Sequence, residues 1–153
     1  MAASIAVAAV NGLSGALGLA LWYRGFGEGA AAASAPVRAF WIMLRAGQLA
    51  ALLFAVGVGV LAAAGKYSSE HLFYLYALLP LAVAFVAEQL RVASAQTILD
   101  QRGLESAAAV GGLPESDQRL LVDAIVRREV GVMAASALVV VFLALRAAGT
   151  AHF

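Results

Sequence analysis

Polar and apolar positions do not alternate along this chain; they fall into long blocks. Four apolar runs cover approximately residues 2–23, 38–65, 71–102 and 130–148. An α-helix rising 1.5 Å per residue needs about 20 apolar residues to cross a hydrocarbon layer of about 30 Å, and each run meets that length. Runs this long exceed what a buried strand or core helix requires. The pattern predicts an all-α polytopic membrane protein, a four-transmembrane-helix bundle forming one domain over residues 1–153. A short cytoplasmic amphipathic helix, about residues 114–129, is expected between helices 3 and 4.

Finer patterning inside the runs suggests how the helices meet. In the first run Ser4, Ala8, Gly12, Ala16 and Ala20 recur at spacing four, with Gly15 and Gly18 beside them. The second repeats the device with Gly47, Ala51, Ala55, Gly59 and Ala63. Small side chains let membrane helices approach closely, so these rows predict face-to-face packing of the first two helices. Asn11, near mid-membrane, is expected to hydrogen-bond across that contact. The first run opens without Lys or Arg, unlike a secretory signal, and Ala33-Ser34-Ala35 is followed by Pro36, so this run is expected to remain as a helix. Gly25 to Pro36 reads as a loop bracketed by Trp22, Tyr23, Phe40 and Trp41. Pro80 is expected to kink the third helix. Ala107 to Gly112 reads as a flexible joint, and Pro114 with Glu115 and Asp117 as a helix start. Beyond it Leu120, Leu121, Ala124 and Ile125 share one face.

Composition narrows the chemistry. The 153 residues are 63% hydrophobic and 12% charged. Mean hydropathy is +0.91, far above that of a water-soluble domain. With no cysteine, thiolate and disulfide chemistry are excluded. A net charge of +1, with basic residues at helix ends, argues against a nucleic-acid partner. The basic residues also orient the chain. Arg24, Arg38, Arg91, Arg102, Arg119, Arg127 and Arg128 fall on one side of the four spans, against Lys66 and Arg146 on the other. The positive-inside rule then predicts a bacterial cytoplasmic-membrane protein with both termini outside and the long loop inside.

One polar cluster interrupts the apolar sequence. If the second and third runs form a hairpin about Ser68 and Ser69, then Arg45 and Gln48 meet Glu88, Gln89 and Arg91 at similar depth in the inner leaflet. A charge in hydrocarbon costs about 2.5–3.5 kcal/mol even on lenient scales, so an Arg45–Glu88 pair is expected. Arg45 is near enough to the boundary to snorkel. Arg24, Arg38, Arg127 and Arg128 would ring the cluster at the level of anionic headgroups, so membrane lipid is a candidate ligand. The outer halves of these two helices carry no ionisable or amide side chain, which disfavours conduction through one copy. His71 and His152 both fall outside the apolar layer, away from where haem ligands would be needed. No catalytic set, metal-spaced cluster or phosphate loop is present in the sequence, so neither enzyme activity, cofactor nor metal is expected.

The run His71-Leu72-Phe73-Tyr74-Leu75-Tyr76, with Ala87-Glu88-Gln89-Leu90-Arg91 and Ser94-Ala95-Gln96, resembles four-helix integral membrane proteins of actinobacterial type. That group has no characterised activity, so the resemblance implies a fold and no chemistry. Small multidrug transporters place a carboxylate in the first helix, where this chain has Asn11; quinone-linked disulfide formers need cysteines. Two functional expectations follow. The first is a self-associating or accessory subunit of a larger membrane complex, with residues 115–128 as a contact surface and Asn11, Gly12, Gly15, Gly47 and Gly59 as helix-packing positions. The second is an ion, proton or small-solute channel or transporter formed at an oligomer interface around Arg45 and Glu88.

Overall fold

The computed structural model describes residues 1–25, 34–104 and 107–151, all as helices and short connections. The helices are α1 (Ala2–Arg24), α2 (Ala35–Ala63), α3 (His71–Gln101), α4 (Ala107–Gly111) and α5 (Glu115–Gly149). Four of them, all but α4, are long and apolar enough to cross a membrane. Most of the loop expected over Gly25 to Pro36, and His152, lie outside the described residues. Its last two residues belong to α2, which starts three residues earlier than the hydropathy pattern suggested. Pro36 explains the shift: its fixed φ and missing N–H suit the first turn of a helix.

Two glycines close helices. α2 and α3 end in Schellman turns, Lys66 N–H bonding Leu61 C=O at 3.0 Å and Leu104 N–H bonding Leu99 C=O at 3.0 Å. Each turn needs a left-handed residue, supplied by Gly65 at φ 78° and Gly103 at φ 67°.

The long helices form a ring in which α1 packs against α2 and α5, and α5 against α3. The α2–α3 seam is the thinnest of the four. α5 is the central element: 44% of its apolar stretch is buried, against 22% in both α2 and α3. Phe40 and Leu44 of α2 pack with Val130, Met133, Ala134 and Ala137 of α5 in one core cluster. At the opposite end of the bundle Val58, Phe73 and Ala77 form another, with Phe54 and Phe73 edge to face at 6.4 Å. Pro80 lies fully buried within α3, which continues as helix on both sides of it.

The rows of small residues behave differently from their spacing-four reading. α1 buries Ser4, Val7, Ala8, Asn11, Ser14, Gly15 and Gly18, while Ala16 and Ala20 are exposed. α2 buries Val37, Phe40, Leu44, Gly47, Ala51, Ala55 and Val58, leaving Gly59 and Ala63 exposed. At 3.6 residues per turn each step of four rotates by about 40°, so a spacing-four row winds off any straight interface within a few turns. The buried faces instead alternate steps of three and four, close to the 3.5-residue repeat of packed bundles.

The short helix between the third and fourth spans is α4, placed in the stretch read as a joint. Residues 115–129, read as a separate amphipathic segment, run unbroken into the fourth span as the first turns of α5. No proline or helix-ending glycine separates Arg127 from Val132, and Gly131 is tolerated inside a helix. Within that stretch Leu121 is buried and Leu120 exposed, so the four residues expected on one face divide. α3 with 31 residues and α5 with 35 measure about 46 Å and 52 Å. Both overhang a hydrocarbon layer of about 30 Å, the C-terminal turns of α3 beside the N-terminal turns of α5.

Candidate functional site

The charged residues within the apolar helices assemble where the thin α2–α3 seam meets α5. On α2, Arg45 and Gln48 stand three residues apart and so share a face. On α3, Glu88 and Arg91 repeat that spacing. Arg45 Nη1 donates to Glu88 Oε1 at 2.5 Å and to Gln48 Oε1 at 2.7 Å, and Gln48 Nε2 reaches the same Glu88 oxygen at 3.4 Å. The other oxygen, Glu88 Oε2, accepts from Arg91 Nε at 2.9 Å. Arg91 then continues the chain to α5, with Nη1 3.5 Å from Glu129 Oε1. Its guanidinium also lies 5.7 Å from the centroid of the Trp41 ring, a cation–π distance.

Glu129 and Trp41 were not part of the cluster read from the sequence. Glu129 directly precedes the apolar run of α5, and the signal for it was the lack of any helix breaker between Arg127 and Val132. Gln89 was expected in the cluster, yet it is exposed and takes no part in these contacts. It follows Glu88 by one residue, about 100° around the helix, and therefore faces away.

Two guanidinium groups and two carboxylates meet here, so the group is neutral as a unit. That arrangement links three helices near the end of the bundle where α5 becomes apolar. It does not leave a spare cation for an anionic ligand. Arg45 nevertheless remains at the surface, its side chain 53% exposed, while that of Glu88 is 26% exposed. Neither a protein-family model, nor a curated protein, nor a solved structure matches the chain. The resemblance to actinobacterial four-helix proteins therefore identifies no family, and the four long apolar helices stand as its structural content. The chain is a multi-pass membrane protein on that basis.

The residues expected to mediate packing divide between two neighbours. Asn11 is buried; its Nδ2 donates to Val7 C=O at 2.9 Å in its own helix and to Gly47 C=O at 3.3 Å across to α2. A Cβ at Gly47 would lie 2.8 Å from Asn11 Oδ1, so the amide needs that glycine. Gly12 and Gly15 face α5 instead, through Val141 and Leu138. Gly18 sits where α1, α2 and α5 converge, against Phe40 and Ala134. Gly59 has no atom within 4 Å of the Cβ position, so its expected place at a contact is corrected: it lies on the outer surface of α2.

The four arginines expected at headgroup level, Arg24, Arg38, Arg127 and Arg128, are exposed. Arg127 Nε donates to Trp22 C=O at 3.2 Å, tying the end of α1 to α5. Arg128 stands at one end of an apolar groove between the same two helices.

Proposed function

We propose that this chain is a self-associating or accessory subunit in a bacterial cytoplasmic membrane, with both termini outside and its exposed arginines Arg24, Arg38, Arg127 and Arg128 at the inner headgroups. The observation that carries the reading is the surface position of the Arg45–Glu88 pair, more than half exposed at Arg45 although it lies within the apolar length of α2. Facing acyl chains, such a pair forfeits solvation that a helix laid across the seam would spare it. The same outer surface of α2 exposes Ile42, Leu49, Leu53, Val56 and Val60 around the open positions Gly57 and Gly59. These features support lateral contact with another membrane helix, from a second copy or from a larger complex.

Extraction of the tagged protein in mild detergent or lipid nanodiscs tests this directly. The expected result is an oligomer or a stoichiometric co-purifying chain, lost on Arg45→Ala. A lone monomer without companions, in both media, would overturn the proposal. A conducting pathway has weaker support, because both carboxylates of the cluster already lie against a guanidinium.

A further inference from the structure

The groove between α1 and α5 is lined by Leu19 and Trp22 on one side and by Arg128, Gly131, Val132, Ala135 and Leu138 on the other, and encloses about 460 Å³. Its walls are almost wholly apolar, and Arg128, an exposed residue, stands at one end. From Arg128 to Leu138 the helix rises about 15 Å, half of a hydrocarbon layer of about 30 Å. The groove thus spans a single leaflet, charged at the membrane boundary and oily down to mid-membrane. A transmembrane helix does not have that pattern, since it runs through both leaflets. A phospholipid does.

We infer that this groove is a binding site for one anionic phospholipid, its phosphate against Arg128 and an acyl chain between Leu19, Trp22, Val132 and Leu138. The inference rests on the membrane reading but not on any protein partner. Two local features prepare the site. Gly131 lets the indole lie directly on α5, since a Cβ there would fall 2.7 Å from Trp22 Cδ1. Arg127, bonded to Trp22 C=O, holds the end of α1 in place while Arg128, free of any carboxylate among the described residues, is left for the phosphate. The neutral cluster at the α2–α3 seam has no such uncommitted cation.

Trp22 is 43% exposed and reports on the groove; the only other tryptophan is Trp41. The Trp41→Phe protein would be reconstituted in phosphatidylcholine nanodiscs carrying a small fraction of acyl-chain-brominated lipid, whose bromines quench indole fluorescence on contact. Brominated phosphatidylglycerol should quench as though enriched about fivefold over brominated phosphatidylcholine, the gain expected from one arginine at an anionic headgroup. Arg128→Gln should remove the difference, and Ala135→Phe, which fills the groove, should reduce quenching by both lipids. In the native chain Trp22→Phe should likewise abolish the difference, which keeps the test usable if Trp41→Phe fails to fold. Equal quenching by the two lipids would overturn the site. So would protection from both, which would mean that a protein helix covers the groove.

Discussion

Glu88 holds two guanidinium groups at once, one on each carboxylate oxygen, and they come from different helices. Replacing it by Gln takes the shared carboxylate from both guanidinium groups, leaving Arg45 with the neutral Gln48 and Arg91 with Glu129 alone. Arg45→Gln removes a cation that lies half outside the bundle and leaves Glu88 with Arg91. The two substitutions should therefore differ: Glu88→Gln costing about 1–3 kcal/mol, the penalty for stranding partly buried charged groups, and Arg45→Gln less, because Glu88 keeps Arg91 and no charge is left alone. Thermal unfolding in nanodiscs would rank them, and an equal or reversed order would show that the seam does not depend on Glu88. The distinction matters to the functional proposal. If Arg45 contributes little to the isolated fold but its removal dissolves an oligomer, the side chain is held at the surface for a neighbour.

At the level of whole helices, the glycines supply the contrast. A Cβ at Gly18 would lie 2.8 Å from Ala134 Cβ and 2.9 Å from Phe40 Cδ2, in the packed centre of three helices. One at Gly59 would meet nothing. Gly18→Ala should lower stability by about 1–3 kcal/mol through overpacking, whereas Gly59→Ala should be neutral or slightly stabilising because it raises helix propensity. A thermal shift that treats both positions alike would contradict this packing. Both glycines sit in rows or beside rows that read identically in sequence. That small residues would line helix contacts was legible; which ones remain at the contact was not, because a spacing of four winds around the helix and the partner alone decides where it leaves. The Arg45–Glu88 meeting was legible from counting back along two arms of a hairpin. Glu129 was not, because its depth depends on α5 being one unbroken helix, and the acidic start at Glu115 read as belonging to a separate segment. Likewise, Gln89 looked equivalent to Glu88 by depth, and only its angular position on α3 separates them.

For the molecule as a whole, the side on which the cluster and the lipid groove open depends on orientation. The exposed arginines Arg24, Arg38, Arg127 and Arg128, the overhanging turns of α3 and α5 and the groove mouth all belong to the end of the bundle opposite the Lys66–His71 connection. A negative surface potential at the cytoplasmic face attracts each nearby Arg by about 1 kcal/mol. That attraction and the positive-inside bias act in the same sense, so the overhanging end is expected in the cytoplasm. The absence of native cysteine makes the point directly measurable, since each introduced thiol is the sole reactive one. Tyr67, 68% exposed on the short connection, and Gly112, exposed after α4, report on opposite sides. In intact cells a membrane-impermeant maleimide should label Tyr67→Cys and spare Gly112→Cys until the membrane is opened. The converse labelling would put the arginines at the outer surface. The neutral cluster would still hold α2, α3 and α5 together there, but Arg128 would face a different lipid population. Preferential quenching by anionic lipid in nanodiscs would then describe an affinity turned to the outer leaflet, whereas the expected labelling turns it to the cytoplasmic one.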